Sequence, residues 1–433
     1  MIDYALVDRV LHKELVVALG CTEPVAVAYA AALASRATAG RPASIVITAS
    51  ANVLKNAMAV GIPGTPFRGM PHAAALGALG GEPEKRLACL AGLGDVVIAE
   101  ADAFVAAGKV TVRQAKTDQT LFIEAVVSGP AGEAVARIED EHERVTLLSL
   151  NGEALPGYEP PAGGGESAEA GASPIGLGGL DIAGVFEYAE TAPLESLGLI
   201  REAIRLNGDI SREGLTGDYG LRVGKVIKEN MDLGLLSDDL LNDAMARAAA
   251  ASDARMAGSS MPVMSNTGSG NQGITATVPV LAVGERLAAP EERILRAVTL
   301  SNLMTVYIKY QFGRLSALCG AVIAGAGAAC GIAYLLGAGL AGVRSSVQNM
   351  IGNVSGMLCD GAKGDCALKI STCTAAAVQA ALMAARGITI PPIEGIVDAD
   401  PERTIRNLAR LGIEGSPTLD GIILDVMVNK GRP

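Results

Sequence analysis

Three cysteines lie near the carboxyl end of the chain, at even intervals of seven residues. Cys359 and Cys366 enclose the turn-prone stretch DGAKGD, and Cys373 follows after ALKIST. Two thiols on either side of a short loop can converge on one metal site, but zinc sites usually contain closer Cys pairs. Iron–sulfur clusters accept wider and less regular spacing. The pair Cys359 and Cys366 therefore indicates a metal or cluster site, with two structural thiols as the alternative.

The other cysteines have a simpler interpretation. Free Cys is among the most buried residue types, so Cys89, Cys330 and Cys373 are expected to be core thiols. The stretch MIDYALVDRVLHKELVVALG reads as a charged amphipathic helix and not as a signal peptide. We therefore expect a cytoplasmic protein whose seven Cys are thiols or metal ligands, not disulfides.

The motif GCTEP, residues 20–24, lies where one predicted helix ends and the next begins. Thr22 can serve as the N-cap, with Pro24 in the first turn. A thiol at a helix N-terminus has a lowered pKa, which makes it a better ligand, nucleophile or base. Cys21 and its neighbour Glu23 are therefore candidate catalytic residues. The alternative is a helix break with a buried thiol.

The loop SNTGSGNQG, residues 265–273, places small polar side chains and Gly directly before an apolar run. Such a loop offers backbone N–H groups and side-chain amides to an anionic ligand such as a carboxylate. It matches neither the P-loop nor the dinucleotide-binding fingerprint. A surface turn is the alternative. The candidate substrate-binding residues in this loop are Ser265, Asn266, Thr267, Gly268, Ser269 and Asn271.

Lys55 and Asn56 form a second candidate binding segment, because they follow the predicted buried strand ASIVITAS. The end of a strand that leads into a polar loop is a frequent ligand site. A single Lys in such a position is otherwise an ordinary solvated residue. The three His are scattered along the chain, so we do not expect a His-rich zinc or haem site.

Two kinds of structural element must position these residues. From about residue 109 apolar and polar residues alternate with a period of two, which indicates an antiparallel sheet with one solvated face. After residue 181 helical periods dominate. The sequence thus predicts an α+β fold, with a mixed amino-terminal domain that contains the antiparallel sheet. A larger all-helical carboxyl-terminal domain carries the cysteine motif.

The predicted domain boundaries follow changes in composition. Residues 1–153 form the α/β domain, whose amino-terminal helices can pack on the helical domain. Residues 154–179 are rich in Pro, Gly, Ser and Glu, which is typical of a linker or a flexible excursion. Residues 180–433 form the helical domain. Aromatic residues make up only 3% of the chain and small residues abound, which favours tight helix packing.

Charge and hydropathy argue against two classes of partner. The net charge is −11 and there is no basic run, so no nucleic-acid partner is expected. Residues 315–343 carry no charge and could by length span a bilayer. Their high content of Gly and Ala makes insertion weak, so we expect a buried helix pair and no membrane partner. The small residues also fit a helical homodimer interface.

Taken together, GCTEP, SNTGSGNQG and NVSGMLCDGAKGDCALKI resemble the L-cysteine desulfidase family, which is related to the α chain of the bacterial iron–sulfur L-serine dehydratases. The resemblance covers most of the chain, and CDGAKGDCALKI is its most specific part. It implies an oxygen-sensitive 4Fe–4S cluster held by three cysteines. Cys359 and Cys366 match two of them. The third, about forty residues upstream, corresponds to Cys319, with Cys330 as the alternative. Cys21 is then either a reversible ligand of the open iron or the general base.

The resemblance also implies α,β-elimination of L-cysteine to pyruvate, ammonia and hydrogen sulfide, without pyridoxal phosphate. This reaction needs a Lewis acid for the leaving thiolate and a base of tuned pKa for the α-proton. The expected partner is therefore a small amino-acid substrate. The alternatives are an L-serine dehydratase, a non-catalytic amino-acid-binding protein with a structural metal, and a membrane carrier built on residues 315–343.

Overall fold

Helices make up most of the part of the chain that the computed structural model describes, namely residues 2–20, 22–117, 119, 121–155, 179–312 and 318–429. The helices are α1 (Tyr4–Glu14), α2 (Thr22–Ala37), α3 (Ala51–Ala57), α4 (Met70–Gly80), α5 (Asp95–Ala106), α6 (Ile182–Thr191), α7 (Gly198–Thr216), α8 (Val223–Asp232), α9 (Leu240–Met256), α10 (Gly270–Arg286), α11 (Glu291–Phe312), α12 (Gly320–Leu335), α13 (Gly339–Val354), α14 (Cys366–Ala384) and α15 (Pro401–Val428). The strands are β1 (Val17–Leu19), β2 (Ser44–Ala49), β3 (Val110–Gln114), β4 (Phe122–Gly129), β5 (Gly132–Glu139), β6 (Val145–Leu150), β7 (Glu153–Ala154) and β8 (Pro262–Met264). The predicted α+β class is confirmed.

A six-stranded sheet organises the amino-terminal half, in the order β3-β2-β4-β5-β6-β7. Buried and half-buried residues alternate along β2 and β4, as the period of two predicts. Neighbouring strands from β2 through β7 are antiparallel, but β2 and β3 are parallel. The predicted antiparallel sheet therefore contains one parallel pair, which the prediction did not include. Three α-helices and a short 3-10 helix connect β2 to β3, and such a crossover returns the chain in the same direction.

The described residues form two large apolar cores. One lies between the sheet and the helices α2 and α4. The other is built from helices of the carboxyl-terminal half, with α12 almost entirely buried at its centre. Small residues allow the close packing that the composition predicts. In α4, for example, a Cβ on Gly77 would collide with the backbone carbonyl of Ala28 in α2.

The amino-terminal segment crosses between the two cores. Helix α1 packs on the helical core, whereas α2 packs on the sheet. Strand β1 connects them and pairs antiparallel with β8, which lies within the carboxyl-terminal half. The prediction that residues 180–433 are all helical is therefore wrong for β8. This strand has only three residues, too few for an alternating pattern to be detected. Residues 156–178 of the predicted linker lie outside the described residues.

The uncharged run 315–343 does not form one continuous helix. Its first residues, 315–317, lie outside the described part, and α12 and α13 are separated by a turn in which Gly337 has a φ of 82°. The two helices pack against each other in the helical core, as predicted. Among the described helices, α14 is the one that is long and apolar enough to cross a membrane, and 56% of its apolar window is buried inside the protein.

Candidate active site

The loop before α14 lies directly against the start of α12. Leu318 and Leu358 form an antiparallel bridge, and the backbone N–H of Cys319 donates to the carbonyl of Met357 at 2.9 Å. Cys319 is the N-cap residue of α12, and Cys366 is the first residue of α14. This pairing brings residues about forty positions apart in sequence onto one surface.

The three candidate ligand thiols are close enough to influence one another electrostatically. Burial, together with the nearby thiols of Cys359 and Cys366, raises the pKa of Cys319 to about 12. Burial also raises the pKa of Cys366, with Cys359 adding to the effect. The structure therefore brings Cys319, Cys359 and Cys366 together.

Lysines surround this group of thiols. Lys369 lowers the pKa of both Cys319 and Cys366. It also donates to the carbonyl of Leu358 at 2.9 Å and to the carboxylate of Asp360. Asp360 accepts from Lys363 as well, and the two lysines hold its pKa at about 2 despite its partial burial. These ion pairs brace the CDGAKGDC loop in its observed conformation.

Lys309, near the end of α11, lies close enough to Cys359 for the two to interact electrostatically. Burial lowers its pKa, whereas the thiol of Cys359 raises it. No sequence pattern indicates that Lys309 lies near Cys359, because Lys309 stands in an ordinary amphipathic pattern within YIKYQF.

The donor set has the chemistry of an iron–sulfur cluster site, because thiolates are the usual ligands of such clusters. Within the described residues, no group of three His, Cys, Asp or Glu side chains is arranged to hold one ion. In a 4Fe–4S cluster each thiolate binds its own iron, so the ligand sulfurs stand farther apart than the ligands of one ion. Three neighbouring thiols with two lysines beside them supply suitable ligands and offset their negative charge.

The other described cysteines lie within the two apolar cores. Cys330 is fully buried in the helical core, where its thiol lies 3.7 Å from the carbonyl of Val343. Cys373 is also buried, with its sulfur 3.7 Å from that of Met357. Cys89 is buried in the core under the sheet. These positions match the expectation that all three are core thiols, and only Cys319 of the two upstream candidates adjoins the CDGAKGDC loop.

The SNTGSGNQG loop is fixed to the segment that leads into GCTEP. The backbone N–H and the hydroxyl of Ser265 both donate to the carbonyl of Val16, at 2.9 and 2.7 Å. The N–H of Thr267 donates to the carbonyl of Glu14 at 2.9 Å. Thr267 and Gly268 have φ values of 48° and 79°, so the chain turns through the left-handed region here. Ser269 then caps α10, as its side chain accepts from the N–H of Gln272.

Buried amides line the inner side of this loop. Asn266 donates to the carbonyl and the side-chain oxygen of Asn302, both at 3.1 Å. Gln272 donates to the Asn266 carbonyl at 3.1 Å and to the Thr267 hydroxyl at 2.8 Å. The side-chain oxygens of Asn266 and Gln272 have no hydrogen-bond partner within the described residues. A Cβ on Gly320 would lie 2.6 Å from the Gln272 oxygen, so this amide adjoins the residue after Cys319.

Arg255, at the end of α9, connects the loop to GCTEP. Its Nη1 donates to Asn271 Oδ1 at 3.1 Å, and its Nη2 donates to the carbonyl of Gly20 at 2.8 Å. Cys21 itself lies outside the described residues. Glu23, in the first turn of α2, accepts from the hydroxyl of Thr22 at 3.3 Å. Thus the backbone directly before Cys21 is anchored by a buried guanidinium.

The segment with Lys55 and Asn56 reaches the same region from the sheet domain. Gly361 has a φ of 99°, and a Cβ there would collide with the backbone carbonyl of Lys55. The ammonium group of Lys55 is paired with Asp420 of α15 at 2.6 Å. The Asn56 amide donates to Asn52 at 3.4 Å. The predicted strand end is therefore beside the CDGAKGDC loop, but its lysine is engaged by the carboxyl-terminal helix.

A small apolar cluster shows how these segments meet. Val60, which follows α3, packs on Met256, and Ala362 and Cys366 pack against both. Met256 is the neighbour of Arg255 and lies 3.3 Å from the Asn271 amide nitrogen. Chain segments near all three sequence motifs thus converge between the two cores, the kind of place where small-molecule sites are frequent.

A comparison with known families is consistent with this geometry. The model of the serine dehydratase alpha chain matches residues 97–425, which is more than half of the chain. The chain belongs to the serine dehydratase alpha-chain family. The resemblance predicted from the three motifs is confirmed at this level. Residues 97–425 include both the SNTGSGNQG loop and the CDGAKGDC loop, but GCTEP and Lys55 precede the matched range.

Relatives of this serine dehydratase alpha-chain-like protein extend over its whole length. A "UPF0597 protein" of Oleidesulfovibrio alaskensis is 47% identical over 97% of both chains. Another of Chromobacterium violaceum is 42% identical over 98% of this chain and 97% of its own. A third, of Bacteroides fragilis, is 39% identical over 97% of both chains. The GCTEP segment therefore lies within the length shared with these relatives.

Proposed function

We propose that this chain is an iron–sulfur lyase that converts L-cysteine into pyruvate, ammonia and hydrogen sulfide by α,β-elimination. The observation that carries the proposal is the convergence of three thiols, a buried polar loop and the backbone before Cys21 at one site. Family membership supports a lyase of the serine dehydratase type. The desulfidase activity is the finer part of the proposal.

The residues that would hold the cluster are Cys319, Cys359 and Cys366. When bound there, a 4Fe–4S cluster would supply an iron with a free coordination position, which is a Lewis acid for a leaving thiolate. The chain's own contribution is charge balance, as Lys309 and Lys369 both interact electrostatically with Cys359. A fourth protein ligand would have to come from elsewhere, and Cys21 is our candidate.

The polar loop is suited to holding the amino-acid part of the substrate. Asn266 and Gln272 each keep a buried oxygen without a partner in the described chain, and an ammonium group is a matching donor. The hydroxyls of Thr267 and Ser269 stand in the same turn. Lys55 and Asn56 remain predicted binding residues, although the pairing of Lys55 with Asp420 favours an indirect role.

The reaction itself needs one base and water. The Cα–H and Cβ–S bonds break, the Cα–Cβ double bond forms, and sulfide leaves with the pair of electrons from the Cβ–S bond. The resulting aminoacrylate tautomerises to an imine, and one water hydrolyses it to pyruvate and ammonia. We propose Cys21 as the base that takes the α-proton, or as the reversible fourth ligand, with Glu23 beside it. Neither role requires pyridoxal phosphate.

L-serine is the second candidate substrate, because the matching family model is that of a serine dehydratase chain. In that case hydroxide leaves in place of sulfide and the remaining steps are the same. An oxygen-sensitive cluster fits a reducing cytoplasm, where thiols stay unpaired. A homodimer remains a prediction.

Anaerobic purification followed by two assays tests the proposal. We expect about four irons and four acid-labile sulfides per chain, and sulfide and pyruvate in equal amounts from L-cysteine. Pyruvate from L-serine without sulfide from L-cysteine would establish the dehydratase. Protein that binds zinc or no metal after anaerobic reconstitution, and that turns over neither amino acid, would contradict the lyase proposal.

A further inference from the structure

We infer that Arg255 binds the carboxylate of the amino-acid substrate, an inference that rests on the proposed function. Arg255 is only 6% exposed, yet no Asp or Glu pairs with its guanidinium within the described residues. Its described acceptors are neutral: an amide oxygen, a backbone carbonyl and, at 4.0 Å, the sulfur of Met256. Its Nε has no partner in the described chain.

A buried positive charge without a counter-ion is unfavourable, because burial removes its hydration and neutral acceptors replace only part of it. A carboxylate is the natural complement, since the planar guanidinium can donate two parallel N–H bonds to it. The carboxylate of a bound substrate would therefore supply the negatively charged partner that Arg255 lacks in the free protein. This is the property expected of a recognition residue and not of a structural ion pair.

The residues around Arg255 indicate that a carboxylate bound to it would lie at the candidate site. One N–H group is directed at the residue before Cys21, and another at Asn271 of the polar loop. The Gly270 backbone lies so close that any Cβ at this position would collide with Nε of Arg255. Met256, the next residue, packs near Cys366. A carboxylate held here would stand between the polar loop, the GCTEP segment and the thiols.

The inference defines a substrate class, namely small α-amino acids with a free carboxylate. An ester or an amide has no negative charge to pair with the guanidinium. We therefore expect the protein to bind L-alanine, which has no leaving group, at least about tenfold more tightly than L-alaninamide. Tenfold is the lower end of what one hydrogen bond to a charged group contributes.

The experiment measures binding of L-alanine and L-alaninamide by calorimetry to anaerobically purified, cluster-loaded protein. The variants are Arg255→Gln, Arg255→Lys and Gly270→Ala. Arg255→Gln is expected to weaken L-alanine binding roughly ten- to a hundredfold and to abolish the preference over L-alaninamide. Arg255→Lys keeps the charge but not the two-pronged geometry, so its loss should be intermediate. Gly270→Ala should displace the guanidinium and also weaken binding.

Arg247→Lys is the matched control. Arg247 lies on the same helix, α9, but is paired with Glu285 at 2.6 Å at the surface. This variant should bind L-alanine as the wild type does. A melting temperature recorded for each variant separates loss of binding from loss of fold. If Arg255→Gln does not fold, Arg255→Lys and the wild-type preference for L-alanine over L-alaninamide still decide the question.

The outcomes separate this inference from the proposed function. Wild-type affinity for L-alanine in folded Arg255→Gln protein would overturn the role of Arg255, whether or not sulfide is released from L-cysteine. Arg255-dependent binding of L-alanine without turnover of L-cysteine or L-serine would support Arg255 and contradict the lyase. A wild-type protein that binds neither L-alanine nor L-alaninamide would overturn the role of Arg255, whereas the turnover assays alone decide the lyase proposal.

Discussion

Residues of one type do different work in this protein according to their surroundings. Cys330 is fully buried among apolar helices, and burial alone raises its pKa. Cys319 is also mostly enclosed, but other thiols and Lys369 act on it. Spacing in the sequence could not distinguish the two, because both lie in the same Gly/Ala-rich run. The contact between Leu318 and Leu358 makes the distinction.

We predict that Cys359→Ala and Cys330→Ala separate cluster binding from core packing. Cys359→Ala should lose most of the iron after anaerobic purification, because two of the three proposed ligands cannot hold the cluster firmly. Cys330→Ala should keep its iron but lower the free energy of unfolding by about 1 kcal/mol, as expected when a small buried side chain is truncated. Iron content per chain and urea denaturation of both variants provide the measurement. Full iron content in Cys359→Ala would refute the ligand assignment.

Arg255, which no sequence motif indicates, is as informative as the residues that the motifs do indicate. The motifs pointed to loops that are rich in Gly, Asn and Cys, and these loops do lie together in the structure. Arg255 stands in ASDARMAGSS at the end of a helix, where an Arg is an ordinary partner of the helix dipole. Its importance comes from Gly20, which is 235 positions away in sequence. A local sequence pattern cannot indicate a contact between residues so far apart in the sequence.

At the scale of elements, strands can be predicted from the sequence where a long alternating pattern exists. Where the pattern is absent, the prediction fails. The period of two identified β4, β5 and β6, and the helical periods identified the long helices of the second half. Strand direction is not encoded in alternation, so the parallel pairing of β3 with β2 could not be read from it. The three residues of β8 carry no pattern, but they hold the polar loop beside GCTEP.

Helices α8 and α9 approach each other closely, and Asp253 of α9 lies at the start of α8. A Cβ on Gly224 would collide with the backbone of α9 at Ala246 and Ala250. Asp253 of α9 accepts from the N–H of Gly224 at 3.0 Å and so caps the start of α8. Burial raises the pKa of Asp253 to about 6, and backbone N–H groups offset only part of this effect. Its Oδ1 has no partner within the described residues.

The raised pKa of Asp253 predicts that the stability of the protein depends on pH. The folded-state pKa lies above the ordinary value, so between about pH 4 and pH 6 the folded protein keeps a proton that the unfolded chain loses. The contribution of Asp253 is therefore present at low pH and is lost as the pH rises through about 6. Asp253→Asn removes the titration and keeps an acceptor for Gly224. Its free energy of unfolding relative to the wild type should rise by about 1–2 kcal/mol between pH 5 and pH 7.5.

Chemical denaturation of wild-type and Asp253→Asn protein at these two pH values measures the effect. Asp232→Asn is the control, because this aspartate lies at the exposed end of α8, paired with Lys228 at the surface. The control should show the same difference from wild type at both pH values. A pH-independent difference for Asp253→Asn would contradict the assignment of the buried carboxyl group.

At the scale of the whole molecule, α15 joins the two cores around the candidate site. Its first half packs in the helical core through Ile405 and Leu408, and Leu424 near its other end belongs to the core under the sheet. Asp420 lies between these contacts and pairs with Lys55, whose side chain is only 6% exposed. Because the backbone of Lys55 touches Gly361, this ion pair supports the CDGAKGDC loop from the far side.

Asp420→Asn should therefore weaken the connection between the cores and loosen the loop that carries the thiols. Removing one partner leaves the buried ammonium group of Lys55 without its counter-ion, and we expect a loss of roughly 1–3 kcal/mol in the free energy of unfolding. We also expect faster loss of iron when the anaerobic protein is exposed to a chelator. Asp425→Asn, on an exposed turn of the same helix, should change neither quantity. If Asp420→Asn loses stability but releases iron at the wild-type rate, the ion pair holds the two cores together without bracing the loop. Only a loss of stability together with a faster loss of iron would show that α15 supports the site.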